Sequence, residues 1–235
     1  MFGSNRNKFA RMFVNGGLRI PEKILKKETF SAANNFTAPS KLDLRGYCTP
    51  VENQGNLPYC AAYSASSFAE NILWRKRHYH EEIDPLPIYK YAKTIDGDPT
   101  GAGTFLECAM EGLFKYDYFD SKVCKIKMFG GNPFNNANGI RDMKFAIHQY
   151  GVAMAGFNIT SEWYSPNSDN TVTGRKDASG QGGHAVIVCG YDENRFLIMN
   201  SWGKGYAEDG FVWVTYKAFE EQFIYASIMT HCLDD

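Results

Sequence analysis

The chain has 235 residues, 44% of them apolar, 15% aromatic and 22% charged, a balance typical of folded globular domains and long enough for one core or for two lobes sharing one. A formal net charge of −1 without any long basic run excludes the electrostatic footprint of a nucleic-acid binder. The longest apolar run, around Ala185 to Cys189, falls far short of the ~20 residues that cross a bilayer, so no membrane span is expected.

Residues 1–40 carry seven Lys or Arg against two Glu, a local +5 that leaves −6 for residues 41–235. This first segment reads as a basic arm on an acidic body. Phe9, Met12 and Phe13 stand at i, i+3 and i+4, the spacing of one apolar helical face. The arm has no apolar h-region and does not read as a secretory signal, which leaves the compartment open between the cytoplasm and export by a non-classical route. Cysteines stand at 48, 60, 108, 124, 189 and 232, with no C-x-x-C pair of the kind zinc and redox motifs use. With Cys60 set apart as reactive, an odd number remains, which argues against a complete disulfide framework and favours a reducing compartment.

The stretch "QGNLPYCAAYSAS" predicts a helix opening at Cys60 and running to about Arg77. Ala61, Ala65, Phe68, Ala69, Ile72 and Leu73 recur at helical spacing, and Pro58 suits a first turn. Further helices are predicted over Thr104–Phe114 and Ile140–Tyr150. After Gly151 the pattern changes to short runs rich in Val, Ile and aromatics, "VAMAGFNI", "HAVIVCGY", "RFLIMNSW" and "GFVWVTY", bounded by Gly, Asn and Asp. These read as antiparallel strands. Helices first and strands second give an α+β chain of two lobes, a helical one over about 41–135 and a β one over about 136–235.

A helix amino terminus offers unpaired N–H groups and partial positive charge, both of which stabilise a thiolate. Cys60 is therefore a candidate nucleophile, against the plainer reading of a small buried packing residue. His184 lies eight residues before Asp192 and Asn200 eight after it. A hairpin turning through Asp192, Glu193 and Asn194 would set the two side by side, with Asn200 fixing the imidazole tautomer and leaving the other ring nitrogen for a thiol. Gln54, six residues before Cys60, can pair its side-chain amide with the nucleophile's own N–H as a two-donor oxyanion hole. Trp202 is placed to shield the His–Asn bond from water. The run "HYHEE" at 78–82 has metal-ligating residue types, but at the end of a charged helix it reads as a solvated face.

The combination of "TPVENQG…C", "GGHAVIVCGYDEN", "NSWGKGYAEDGF" and a following "VTY" resembles the papain-like cysteine peptidases over about residues 41–220. The resemblance implies a helical lobe facing an antiparallel β lobe across a cleft, with Cys60 as nucleophile, His184 as base and acid, Asn200 as orienter and Gln54 as oxyanion donor. It implies the thiol and imidazole as an ion pair and polypeptide substrates lying extended in the cleft. No cofactor or metal is expected, and a monomer is. The glycine pair that holds the substrate backbone corresponds to Gly103-Thr104; Pro58, Tyr59, Gly183 and Trp202 border the same cleft. The chain departs from the family at Leu57, where a disulfide cysteine is usual, at Pro58, where a pocket glycine is usual, and at Tyr206, where a second tryptophan is usual. Those traits resemble the bacterial and divergent branch. Members are made with an inhibitory amino-terminal segment, so residues 1–40 become a candidate intramolecular inhibitor. An acyltransferase or deamidase on the same triad, and an inactive binding module of the same fold, are the alternatives.

Overall fold

The computed structural model describes residues 17–19, 30–33, 35–78, 80–130 and 138–232. Among them are five α-helices: α1 (Cys60–Arg77), α2 (Pro85–Ile95), α3 (Leu106–Lys115), α4 (Gly139–Tyr150) and α5 (Tyr216–Gln222). The strands are β1 (Leu42–Asp43), β2 (Lys125–Gly130), β3 (Ala153–Thr160), β4 (Thr171–Val172), β5 (Gly180–Tyr191), β6 (Arg195–Met199), β7 (Phe211–Thr215) and β8 (Phe223–Thr230). They form one sheet in the order β2-β8-β3-β5-β6-β7-β4, with β1 added to β5. Only the short β4–β7 contact is parallel, so the α+β expectation stands.

α1 forms where the small-residue run predicts it. Ala61, Ala62, Ala65 and Ala69 let it pack closely, and they are fully buried with Phe68 and Ile72. One core lies between α1, α2, α3 and a face of the sheet that supplies Met154, Ile187, Leu197 and Met199. A second covers the opposite face, where Phe157, Val186, Val188, Ile198 and Val214 meet Met143 and Ile147 of α4 and Phe219 of α5. The alternation of Ile187 with Val186 and Val188 between the two cores is the period of a strand buried on both sides.

Three features go beyond the sequence reading. α2 begins at a proline, with Asp84 capping it by accepting from the Leu86 N–H; a proline that looks like a breaker is here a first-turn residue. β2 pairs with β8 from Lys125↔Thr230 to Gly130↔Tyr225, so the sheet takes in a segment ahead of residue 136. Cys124 is disulfide-bonded to Cys232 across 108 residues, with Cα atoms 5.2 Å apart, a partial pairing that the odd cysteine count, which argues only against a complete framework, does not foretell. The pair flanks the β2–β8 ladder, which brings the two chain segments together. Among the described residues no helix is long and apolar enough to cross a membrane. Phe9, Met12 and Phe13 lie outside the described residues.

Candidate active site

Cys60 is the first residue of α1, follows its N-cap Tyr59 and is fully buried as a thiol. Backbone groups of Ala185, Ala61, Gly17 and Cys60 itself act on the thiol in the direction that favours its ionised form, and Cys60 and Ala185 pack in one core. Ala185 is the neighbour of His184, so the helix start and the strand carrying the histidine meet here. The His184 Nε2 lies 2.8 Å from Asn200 Oδ1. The strands do not set the two residues directly opposite one another as an even hairpin would. Ile187 faces Met199 and Val188 faces Ile198, then the register slips at Cys189 so that Gly190 faces Leu197. Cys189 uses its carbonyl to accept from Leu44 N–H instead, at 2.9 Å. This bulge puts the pair on one face of the sheet: the register Ile187↔Met199, continued by one residue, sets Asn200 beside Val186, two residues from His184, and its side chain reaches diagonally to the imidazole.

Trp202 stacks on His184 with ring centroids 4.9 Å apart, and Tyr164 stacks on the far side of Trp202 at 5.2 Å. Tyr206 meets the edge of Trp202 and donates its hydroxyl to the Trp163 carbonyl. An indole and a phenol thus cover the histidine–asparagine bond, and Tyr206 occupies the place where a second tryptophan is usual. Gln54 is buried; its Nε2 donates to the Leu57 carbonyl at 2.8 Å and its Oε1 accepts from Ser201 Oγ at 2.6 Å. Ser201 also donates its backbone N–H to Asn200 Oδ1 at 2.8 Å. One residue therefore fixes the amides of both Gln54 and Asn200. It was not singled out from the sequence, where its adjacency to Asn200 in "NSW" was the available signal.

The cleft is occupied by the chain itself. Leu18 donates its N–H to the Gly183 carbonyl at 3.1 Å, Arg19 N–H donates to the Thr104 carbonyl at 3.0 Å, and Thr104 N–H donates to the Gly17 carbonyl at 3.1 Å. Leu18 and Thr104 form an isolated parallel bridge. The contacts are close enough to require glycine: a Cβ on Gly183 would lie 2.5 Å from the Leu18 carbonyl oxygen, and one on Gly17 would lie 2.4 Å from the Pro58 backbone. The Leu18 side chain points at Gly156 and Tyr225, where a Cβ on Gly156 would lie 2.5 Å from its Cδ2. Gly103 takes φ +71°, and its carbonyl accepts from Lys93 Nζ at 2.9 Å. Tyr59 stacks on Tyr89 with centroids 3.7 Å apart.

Enclosure sets the protonation states. Burial pushes the Cys60 thiol up to about 11, against the partial relief of the surrounding backbone groups. Burial likewise pushes His184 down to about 4, opposed by the Asn200 hydrogen bond. Both shifts favour the uncharged forms, because burial withdraws the solvent that supports separated charges. No cluster of three or more His, Cys, Asp or Glu suited to a metal occurs among the described residues, and in "HYHEE" His80 stacks flat on Trp74 at 3.9 Å.

A family model described as papain family cysteine protease matches residues 91–230. This chain belongs to the papain family of cysteine proteases. It is 24% identical to procathepsin L of Felis catus over 241 residues, spanning 90% of this chain and 70% of that protein. It is 23% identical to cathepsin K of Mus musculus over 232 residues, spanning 83% of this chain and 66% of the relative. Among solved structures, xylellain, a cysteine protease from Xylella fastidiosa, superposes with a TM-score of 0.71 at 20% identity, covering 93% of this chain and 97% of that one. Digestive procathepsin L 3 of Tenebrio molitor larval midgut gives 0.66 at 16% identity over 95% and 78%. The papain-like fold and the cysteine peptidase class expected from the motifs are thereby met. The matched range holds His184, Asn200 and Trp202; Cys60 and Gln54 precede it, and their placement comes from the contacts described above.

Proposed function

We propose that this papain-family chain is a cysteine endopeptidase working through Cys60, His184 and Asn200, and that its own amino-terminal arm covers the site. The observation that carries the reading is the meeting of two elements: the start of α1, where Cys60 packs in one core with Ala185, and the strand residue before Ala185, His184, bonded to Asn200 under Trp202. With a polypeptide in place of the arm, His184 takes the thiol proton as Cys60 attacks the scissile carbonyl carbon. The oxyanion is met by the Cys60 N–H and the second N–H of the Gln54 amide, whose first is held by Leu57. His184 then gives its proton to the leaving amine, a thioester remains on Cys60, and water activated by His184 releases the acid. Asn200 holds the imidazole in the tautomer that this shuttle needs.

The arm takes the main-chain partners a substrate would use, those of Thr104 and Gly183, and excludes water from the thiol. Residues 1–40 therefore act as an intramolecular inhibitor of residues 41–235. Two of the structural relatives, procathepsin L 3 and the Amb a 11 cysteine protease in its proform, are themselves proforms. The test is incubation with an epoxide-type thiol-peptidase inhibitor, followed by intact mass and peptide mapping, beside hydrolysis of a denatured protein. One adduct on Cys60 and internal cleavage are expected; an adduct elsewhere, or acyl transfer to an added amine or side-chain deamidation as the sole product, would overturn the assignment.

A further inference from the structure

The arm shows more than that the cleft can be filled, because its side chains lodge in particular places. Leu18 takes the recess at Gly156 and Tyr225, and Arg19, one residue further from Cys60, is held by four contacts. Its Nη1 lies 3.6 Å from Asp96 Oδ2 and 3.7 Å from Asp98 Oδ2, and donates to the Asp96 carbonyl at 3.4 Å. Its guanidinium carbon stands 4.7 Å from the centre of the Phe105 ring. The Asp96 carboxylate is fully buried, and other groups hold it in place: Oδ2 accepts from Lys93 Nζ at 2.7 Å and Oδ1 from the Asp98 N–H at 3.0 Å. Lys93 in turn bonds the Gly103 carbonyl, next to the residue that pairs with the arm. Asp98 is anchored by the Gly101 N–H at 2.9 Å, and a Cβ on Gly101 would collide with its carboxylate.

Without Arg19 this slot holds two carboxylates against one ammonium, a residual negative charge facing the cleft beside an aromatic ring. We infer that Asp96, Asp98 and Phe105 form a specificity subsite that selects a substrate with Arg or Lys at the third residue before the scissile bond, next to an apolar residue at the second. The inference rests on the peptidase reading, in which Thr104 and Gly183 hold the acyl side of the substrate. Arg19 is then the occupant that shows what the slot accepts. A cation between two carboxylates and over a ring gains from ion pairing and from the ring quadrupole. Half-exposed contacts of this kind add up to roughly a tenfold preference, not an absolute requirement.

The experiment uses the full chain and two readouts. The first is kcat/KM of the full chain carrying Gly17→Val, which clears the arm from the cleft by collision with the Pro58 backbone, on four fluorogenic peptides with Leu at the second and Gly at the first position before the scissile bond, and Arg, Lys, Ala or Glu at the third. The Arg and Lys peptides should be cleaved about tenfold faster than the Ala peptide, with the Glu peptide slowest, and Asp98→Arg should invert that order. Equal rates for Arg and Ala peptides would overturn the slot while leaving the peptidase reading intact. The second readout does not depend on turnover: the rate at which a neutral alkylating agent labels Cys60. Arg19→Ala should speed labelling severalfold and Arg19→Lys should restore the slow rate. An Arg19→Ala chain that labels at the wild-type rate would overturn the slot. Failure of the Gly17→Val chain to cleave all four peptides while its Cys60 labels rapidly would overturn the peptidase reading, and the Arg19 comparison would then decide the slot by itself.

Discussion

Ser201 shows how much of a catalytic arrangement depends on a residue that performs no chemistry. Its hydroxyl donates to Gln54 and its N–H to Asn200, so the oxyanion amide and the orienting amide share one support. Ser201→Ala removes one buried donor, a change worth about 1 kcal/mol in stability. It should lower kcat several-fold with little effect on KM, because only the transition state needs both amides aimed. A loss confined to KM would refute that role. The buried pair Cys60 and His184 also makes stability depend on pH in a direction that can be worked out. The imidazole is lowered from 6.5 to about 4, so between those values the unfolded chain binds more protons and stability falls as the pH drops. The thiol is raised from 9.0 to about 11, so between those values the folded chain keeps the extra proton and stability falls as the pH rises. Each limb approaches about 1.4 kcal/mol per pH unit. Denaturant unfolding of His184→Ala should show a shallower acid limb, and Cys60→Ala a shallower alkaline one; slopes identical to wild type would show that neither group is shielded.

At the scale of elements, what the sequence shows is local and what it hides is long-range. The α1 run announces itself by the spacing of Ala, Phe and Ile after Pro58, and the strands β3, β5, β6 and β7 by runs of Val, Ile and aromatics between turn residues. Neither pattern reveals that β5 slips against β6 at Cys189, because that slip is set by Leu44, which is remote in sequence and bonds the Cys189 carbonyl. The His184–Asn200 partnership is legible all the same, because the slip restores the same-face relation that an even turn centred on Asp192 would give. α2 is obscured by its prolines; β2 alternates lysines with apolar residues as a strand does, but its place in the sheet depends on β8, about 100 residues further on. The Cys124–Cys232 bond is hidden by the 108 residues between its ends. Closing a loop of that size constrains the unfolded chain by about 4–5 kcal/mol in the entropic account. Replacing both cysteines by serine should therefore lower the melting temperature by roughly 10 °C or more without displacing the site, since the β2–β8 ladder runs from Lys125 to Gly130. Unchanged melting with and without reductant would show that the bond contributes nothing to stability.

For the whole molecule, the division into a basic arm and an acidic body is legible from composition, whereas the path of the arm is not, because a cleft between lobes exists only after folding. Gly17, Leu18 and Arg19 thread that cleft with three main-chain hydrogen bonds and one guanidinium in an acidic slot. Gly17→Val tests the closure while keeping the full chain. A valine there cannot avoid the Pro58 backbone, which already lies 2.4 Å from where a Cβ would stand, and Pro58 cannot yield without moving the start of α1. The arm is the part that gives way, since few bonds hold it and the helix is anchored in the core. Alkylation of Cys60 at neutral pH should then run severalfold faster than in the wild type. Salt provides the control: raising it to about 1 M shortens the screening length to about 3 Å, which weakens the attraction between a +5 arm and a −6 body. It should accelerate labelling of the wild type and leave the variant, already open, little changed. Equal labelling of the two chains at low salt would mean that the arm does not guard Cys60. Acceleration of both by salt would place the effect in the alkylation step rather than in the arm.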